Sequence, residues 1–166
     1  MKRPETTVEE IVRDYGTMVR RIAFSHESSP HLADELVQEI YIAIWRALPS
    51  FRGEASLKTF VARIATNRAV THAVRAMRVP PASELSEEIR SSRDTPEEIA
   101  IANDRREILM TAVRRLPLAY RQPVMLSLEG LTLEEVAQVL GITANATAIR
   151  TSRAKQMLKQ WIGEQP

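Results

Sequence analysis

The chain has 166 residues, 44% of them hydrophobic, and contains no cysteine. That length suits one medium domain or two small helical ones with thin cores, and the missing thiols exclude disulfides and thiolate metal centres. The net charge of +2 excludes little, but no apolar run is long enough for a bilayer and residues 1–10 carry no signal-peptide pattern, so a cytoplasmic protein is expected.

Apolar residues recur every three to four positions and sustained strand alternation is missing, which predicts an all-α fold. Thr6 with Glu9, and Thr7 with Glu10, both fit a capping box, so a first helix starts there along Val8, Ile11, Val12, Tyr15 and Val19. Ser28, Ser29 and Pro30 interrupt the chain. A second helix is expected over 31–48, stopped by Pro49, with Leu32, Leu36, Ile40 and Ile44 as its buried stripe. A third is expected over 56–77. Residues 79–96, with Pro80, Pro81, Pro96, several serines and mostly acidic charge, read as a flexible linker. Helices then follow over 97–115, 119–128, 133–140 and 144–161, broken by Leu116-Pro117, Glu129-Gly130 and Gly141. The domains expected are thus 1–78 and 97–166, two small helical modules joined by a tether.

Charge is unevenly placed. Residues 1–78 hold 12 basic and 9 acidic side chains, 79–104 hold 2 and 7, and 105–166 hold 9 and 5. Within the basic blocks, residues 58–78 carry five cations and 150–159 carry four, with no carboxylate in either. One such stretch is an ordinary solvated helix face. Two, in separate modules, favour phosphate backbones as partners.

Residues 131–150 have helix-turn-helix form. Thr132 caps the first helix and Glu135 answers it. Ala137 is small enough for a close crossing, and Gly141 permits a turn with positive φ. Ile142 fills the space beneath the turn, and Thr143 or Asn145 caps the second helix. Thr147, Thr151, Ala154, Leu158 and Trp161 share that helix's inward face. Asn145, Ala148, Ser152, Lys155 and Lys159 point outward, flanked by Arg150 and Arg153. An amide near the N-terminus with guanidinium groups alongside suits major-groove edges and phosphates.

The motif set Asp34-Glu-Leu-Val-Gln-Glu-Ile-Tyr-Ile-Ala-Ile-Trp45, Phe51-Arg-Gly-Glu54 and Phe60-Val-Ala-Arg-Ile-Ala-Thr-Asn67 resembles region 2 of extracytoplasmic-function sigma factors. Leu116-Pro117, Arg121, Val124, Leu126, Leu131-Thr132, Glu135-Val-Ala137, Leu140-Gly-Ile142 and Arg150-Thr-Ser-Arg-Ala154 resemble region 4. The chain departs from the family pattern at Phe60, usually Trp. Thr71 and Val74 replace an acid and an arginine, and Thr147 and Thr151 stand at apolar positions.

The resemblance implies a subunit that directs RNA polymerase to promoters and catalyses nothing. Asp34, Glu35, Gln38, Glu39 and Trp45 would dock on core polymerase, whose clamp and flap receive the two modules. Phe51, Arg52 and Gly53 would form the loop that captures an extruded base of the −10 element, with Phe51 equally able to be simple packing and Phe60 favoured as packing. Arg63, Asn67, Thr71, Arg75 and Arg78 share one face of the third helix. Arg68, His72 and Arg75 form the neighbouring stripe, and both are candidate −10 contacts. Asn145, Ala148, Arg150, Ser152, Arg153 and Lys155 are candidate −35 contacts. The acidic linker is either a nucleic-acid mimic or a plain tether. An anti-sigma partner is implied by the family alone, and the free chain is expected to be a monomer.

No catalytic triad, phosphate loop or metal-ligand spacing is present, so neither cofactor nor metal is expected. His26 and His31 read as surface or loop residues. The rival readings are a polymerase-independent helix-turn-helix regulator and a sigma mimic that titrates an anti-sigma protein.

Overall fold

The computed structural model describes residues 6–79 and 97–163, and all of the regular structure in them is helical. The expected linker lies outside the described residues except for Val79. Seven α-helices are described: α1 (Val8–His26), α2 (Pro30–Ala47), α3 (Leu57–Arg78), α4 (Glu97–Arg115), α5 (Leu118–Leu128), α6 (Leu133–Leu140) and α7 (Ala144–Gly163).

Local chemistry sets the helix ends. The Thr7 hydroxyl accepts from the Glu10 N–H at 3.2 Å, while the Glu10 carboxylate accepts from the Thr7 N–H at 3.0 Å. This closed box selects Thr7 over Thr6 as the cap. α2 starts on Pro30, where no intrahelical donor is needed. It ends one residue earlier than the sequence suggests, because Leu48–Ser50 tightens into a 3-10 turn around Pro49. Ser56 caps α3 by accepting from the Thr59 N–H at 3.1 Å.

α1, α2 and α3 pack around Ile11, Val19, Ile22, Leu36, Ile40, Ile44 and Val61, all fully buried. Leu32, expected in the buried stripe of α2, is only half-buried, and Val37 and Ala43 join that stripe instead. α3 turns inward a row of small residues, Ala62, Ala65, Ala69 and Ala73, so its backbone lies close to its neighbours. Each large aliphatic side chain so buried contributes about 1.5–3 kcal/mol.

In the second unit, α5, α6 and the end of α4 pack on α7 around Val113, Leu116, Leu126, Val136, Ala154 and Leu158. Arg121 of α5 donates from Nη2 to the Leu116 carbonyl at 2.9 Å and also to the Arg114 carbonyl. It thereby satisfies acceptors at the end of α4 that the helix cannot.

The two units also pack on one another, and their buried apolar residues form one continuous cluster. Arg114 donates to the Phe24 carbonyl at 3.2 Å, tying α4 to α1. His26 corrects the sequence expectation of a surface or loop histidine. It is the last residue of α1 and is buried, with Nδ1 3.0 Å from the Ile22 carbonyl and 2.8 Å from Ser25 Oγ. Burial, helped by the charges of Arg121 and His72 and opposed by the hydrogen bond to the Ile22 carbonyl, pulls the imidazole pKa down to about 4. His31 is exposed, as expected.

Candidate nucleic-acid interface

α2 presents Asp34, Glu35, Gln38 and Glu39 to solvent, with Trp45 64% exposed farther along the helix. Asp34 is paired with Arg20 of α1 at 3.0 Å, and Glu35 lies 3.3 Å from His31. The sequence reading missed Ile42, which is half-exposed. Glu35, Gln38, Ile42 and Trp45 follow one another at steps of three and four, so they share one face. That spacing was available in the sequence, but Ile42 was hidden among the alternating apolar residues around it. The face combines a carboxylate, an amide and two apolar groups in water, a composition suited to a protein partner with basic residues around an apolar recess.

Beyond the 3-10 turn, the Phe51 ring packs on Phe60 with centroids 4.8 Å apart and planes at 47°. Both are half-buried, so packing describes Phe60 and partly describes Phe51. Arg52 and Gly53 are exposed, and Gly53 sits at φ +74°, where a side chain would be strained. The loop therefore has a fixed aromatic base and an exposed tip.

On α3, Arg63, Asn67, Arg68, Thr71, Arg75 and Arg78 are all exposed. Thr71 Oγ1 donates to the Asn67 carbonyl at 2.9 Å, so its hydroxyl hydrogen is used within the helix. His72 departs from the stripe expected with Arg68 and Arg75. It is half-buried, with Nε2 2.7 Å from Glu27 Oε2, and faces the α1–α2 connection. The cause is helical geometry: Ala69 and Ala73 are the buried positions on either side, and His72 lies on the border they define.

The second unit carries the helix-turn-helix. Thr132 and Glu135 close a capping box at 3.2 and 2.8 Å, and Gly141 ends α6 at φ +65°. Thr143, and not Asn145, caps α7 by accepting from the Ala146 N–H at 3.1 Å. That leaves the Asn145 side chain outside the cap, exposed with Ala148, Ser152, Arg153 and Lys155, while Arg150 is half-buried. Thr147, Thr151, Ala154 and Leu158 are buried on the opposite side, and Trp161 is half-buried under the Arg115 guanidinium at 4.7 Å. The buried Thr147 hydroxyl is satisfied by donating to the Thr143 carbonyl at 3.0 Å. The buried Thr151 hydroxyl has no partner among the described residues.

The arrangement offers two exposed basic helix faces on separate units, and positive charge with open backbone access suits phosphate and base edges. Among the described residues, no group of three or more His, Cys, Asp or Glu is placed to hold a metal. No described helix is long and apolar enough to cross a membrane.

Comparison with known proteins agrees with this geometry. The Sigma-70 region 2 family model matches residues 11–79, and the Sigma-70, region 4 model matches residues 106–158. The ECF RNA polymerase sigma-E factor of Escherichia coli (strain K12) is 31% identical over 134 residues, which cover 75% of this chain and 70% of that protein. The sigma-E factor of Haemophilus influenzae is 28% identical over 162 residues, covering 92% and 85%. Among solved structures, the fold is similar to CnrH in complex with the cytosolic domain of CnrY, at TM-score 0.69 and 20% identity, covering 96% of this chain and 89% of that one. It is also similar to the sigma factor RpoE in complex with the anti-sigma factor NepR from Bartonella quintana, at TM-score 0.71 and 19% identity, covering 95% and 99%. With both regions matched in order and relatives aligned across them, the chain belongs to the ECF sigma factors of the sigma-70 family, the subunits that direct RNA polymerase to promoters.

Proposed function

We propose that residues 1–78 dock on core RNA polymerase through α2 and receive the −10 element on α3, and that residues 97–166 read the −35 element as duplex through α7. Residues 79–96 then serve as the connector. The observation that carries this reading is the division of labour between two helices of the first unit: α2 exposes Asp34, Glu35 and Glu39 together with Ile42 and Trp45, whereas α3 exposes Arg63, Arg68, Arg75 and Arg78 and no carboxylate. One protein face and one nucleic-acid face on the same small bundle suit a subunit that bridges polymerase and DNA.

In this reading, Asp34, Glu35, Gln38, Glu39 and Trp45 engage the polymerase clamp. Phe51, Arg52 and Gly53 cradle an unstacked base, which costs a few kcal/mol of stacking and needs compensating contacts. Asn67, with Arg63, Arg68, Thr71, Arg75 and Arg78, follows the −10 strand. Asn145, Ala148 and Ser152 approach base edges of the −35 duplex, while Arg150, Arg153 and Lys155 hold its phosphates. No residue is assigned chemistry, and the protein acts in the cytoplasm, where the polymerase is. Because the similar sigma factor RpoE was solved with the anti-sigma factor NepR, an anti-sigma protein is the expected inhibitor.

A pull-down with core polymerase tests the docking half directly. Wild-type chain is expected to be retained, and a Glu39→Ala, Trp45→Ala variant to be lost. Equal retention of both would contradict the assignment of α2.

A further inference from the structure

A shallow groove separates the first turn of α6 from the middle turns of α7. Leu133, Ala148, Thr151 and Ser152 line it, with Lys155 and Lys159 towards one end. Leu133 is 39% exposed, although nothing in the cap of α6 requires an apolar residue there. The capping box uses Thr132 and Glu135. Leu131 and Val136, at the apolar positions that flank such a box, are both buried already. Ala148 is exposed and offers only a methyl group. The Thr151 hydroxyl oxygen is buried, so it adds no polar group to the groove.

On the −35 reading of α7 given above, we infer that this groove is a slot for the C5-methyl group of a thymine in the −35 duplex. Leu133 forms its wall and is a determinant of promoter sequence that lies outside the recognition helix.

Charge decides the class of occupant. α7 carries Arg150, Arg153, Lys155 and Lys159 and no carboxylate among its 20 residues, so the surface beside the groove suits a polyanion. At the opposite end, Glu134 and Glu135 stand in the first turn of α6 and repel a phosphate. The groove itself is thereby left to an uncharged part of the nucleic acid. Unmodified base pairs turn donors and acceptors towards the major groove, and one methyl group, that of thymine. The side of the groove built from Leu133, Ala148 and Thr151 gives a donor or acceptor no partner, and desolvating one there lowers affinity. A methyl group placed there buries apolar surface on both molecules.

Deoxyuridine differs from thymidine only by that methyl, which allows a single group to be deleted from the DNA. Holoenzyme assembled from the full chain and core polymerase first selects duplexes from a pool randomised across the −35 region. Each thymidine of the enriched site, on either strand, is then replaced by deoxyuridine and holoenzyme affinity is measured. One position should lose about fourfold, the factor that corresponds to burying one methyl group. With Leu133→Ala the loss at that position should shrink to less than about twofold, and with Leu133→Met it should return to about fourfold. Ile149 is 44% exposed on α7 but does not line the groove, so Ile149→Ala should keep the full loss. Circular dichroism identifies a variant that fails to fold, and the wild-type scan stands without any variant. The slot is overturned if no thymidine responds to removal of its methyl. It is equally overturned by a loss of the same size in wild type and Leu133→Ala, or by one that only Ile149→Ala abolishes. Enrichment of a site with no methyl-dependent thymine removes the slot and leaves the −35 reading of α7 intact. A pool from which nothing is enriched counts against that reading and takes the slot with it.

Discussion

His72 Nε2 lies 2.7 Å from Glu27 Oε2, joining α3 to the end of α1 across 45 residues of sequence. The contact divides the polar residues of α3 into two kinds. Asn67, Arg75 and Arg78 are exposed and aim at solvent, whereas His72 holds the bundle together. Substituting His72 by Ala should cost about 1–2 kcal/mol in a urea melt and leave promoter affinity nearly unchanged. The triple change Asn67→Ala, Arg75→Ala and Arg78→Ala should do the reverse. Permanganate footprinting of the −10 region should show open-complex formation reduced by more than about tenfold, with core binding retained. Parallel loss of core binding and opening in the triple variant would contradict the DNA assignment.

Trp45 offers a second separation. With 64% of its surface exposed, the indole contributes little to the fold. Trp45→Ala should shift the thermal midpoint by no more than a degree or so, roughly the effect of an ordinary surface change. Affinity for core polymerase should fall by about 2 kcal/mol or more, as for a central aromatic anchor. Ile42→Ala, at the adjoining position, should weaken the same interaction to a smaller degree. Biolayer interferometry with immobilised core enzyme measures both.

The unpartnered Thr151 hydroxyl gives a prediction of opposite sign. Thr151→Val keeps the shape, removes a buried polar group and should stabilise the second unit by about 1 kcal/mol. Since Thr151 faces inward on α7, affinity for −35 duplex should stay within about twofold. A destabilised variant would mean that the hydroxyl has a partner.

His26 makes stability depend on pH. Its folded-state pKa is about 4, below the ordinary imidazole value of 6.5, because burial disfavours the charged ring. The unfolded chain therefore binds the proton first as pH falls. Stability is complete above about pH 6.5 and is lost progressively down to about pH 4, by roughly 1.4 kcal/mol per pH unit at most. Comparing urea melts of the wild type and His26→Gln between pH 7 and pH 4.5 isolates this contribution. The difference between the two proteins should shrink with acidification, and a constant difference would contradict the assignment.

Much of this was legible before any coordinates. Thr132 and Gly141 mark their helix ends in the sequence, and Thr7 was one of two candidates with Thr6, because caps and left-handed turns restrict residue choice locally. The inward face of α7 followed from spacing alone. What was not legible depends on contacts distant in sequence. A stripe of apolar residues shows that a helix is covered but not by what, so the packing of one unit on the other could not be read. His26 looked like a loop residue because it ends α1 just before Ser28, Ser29 and Pro30, while the groups that reach it from afar, Arg121 and His72, lie on α5 and α3. His72 was assigned by helical angle to a DNA stripe. One step round the helix, at the edge of the alanine row, decided otherwise.

The central claim is that this chain gives core polymerase its promoter preference, and run-off transcription tests it most directly. Purified chain should be mixed with core enzyme and a template carrying the promoter region upstream of its own gene. A discrete transcript that appears only with both proteins, and disappears with the Asn67, Arg75 and Arg78 triple variant, is the predicted result. No transcript, together with no association between chain and core enzyme in the absence of any inhibitor, would contradict it.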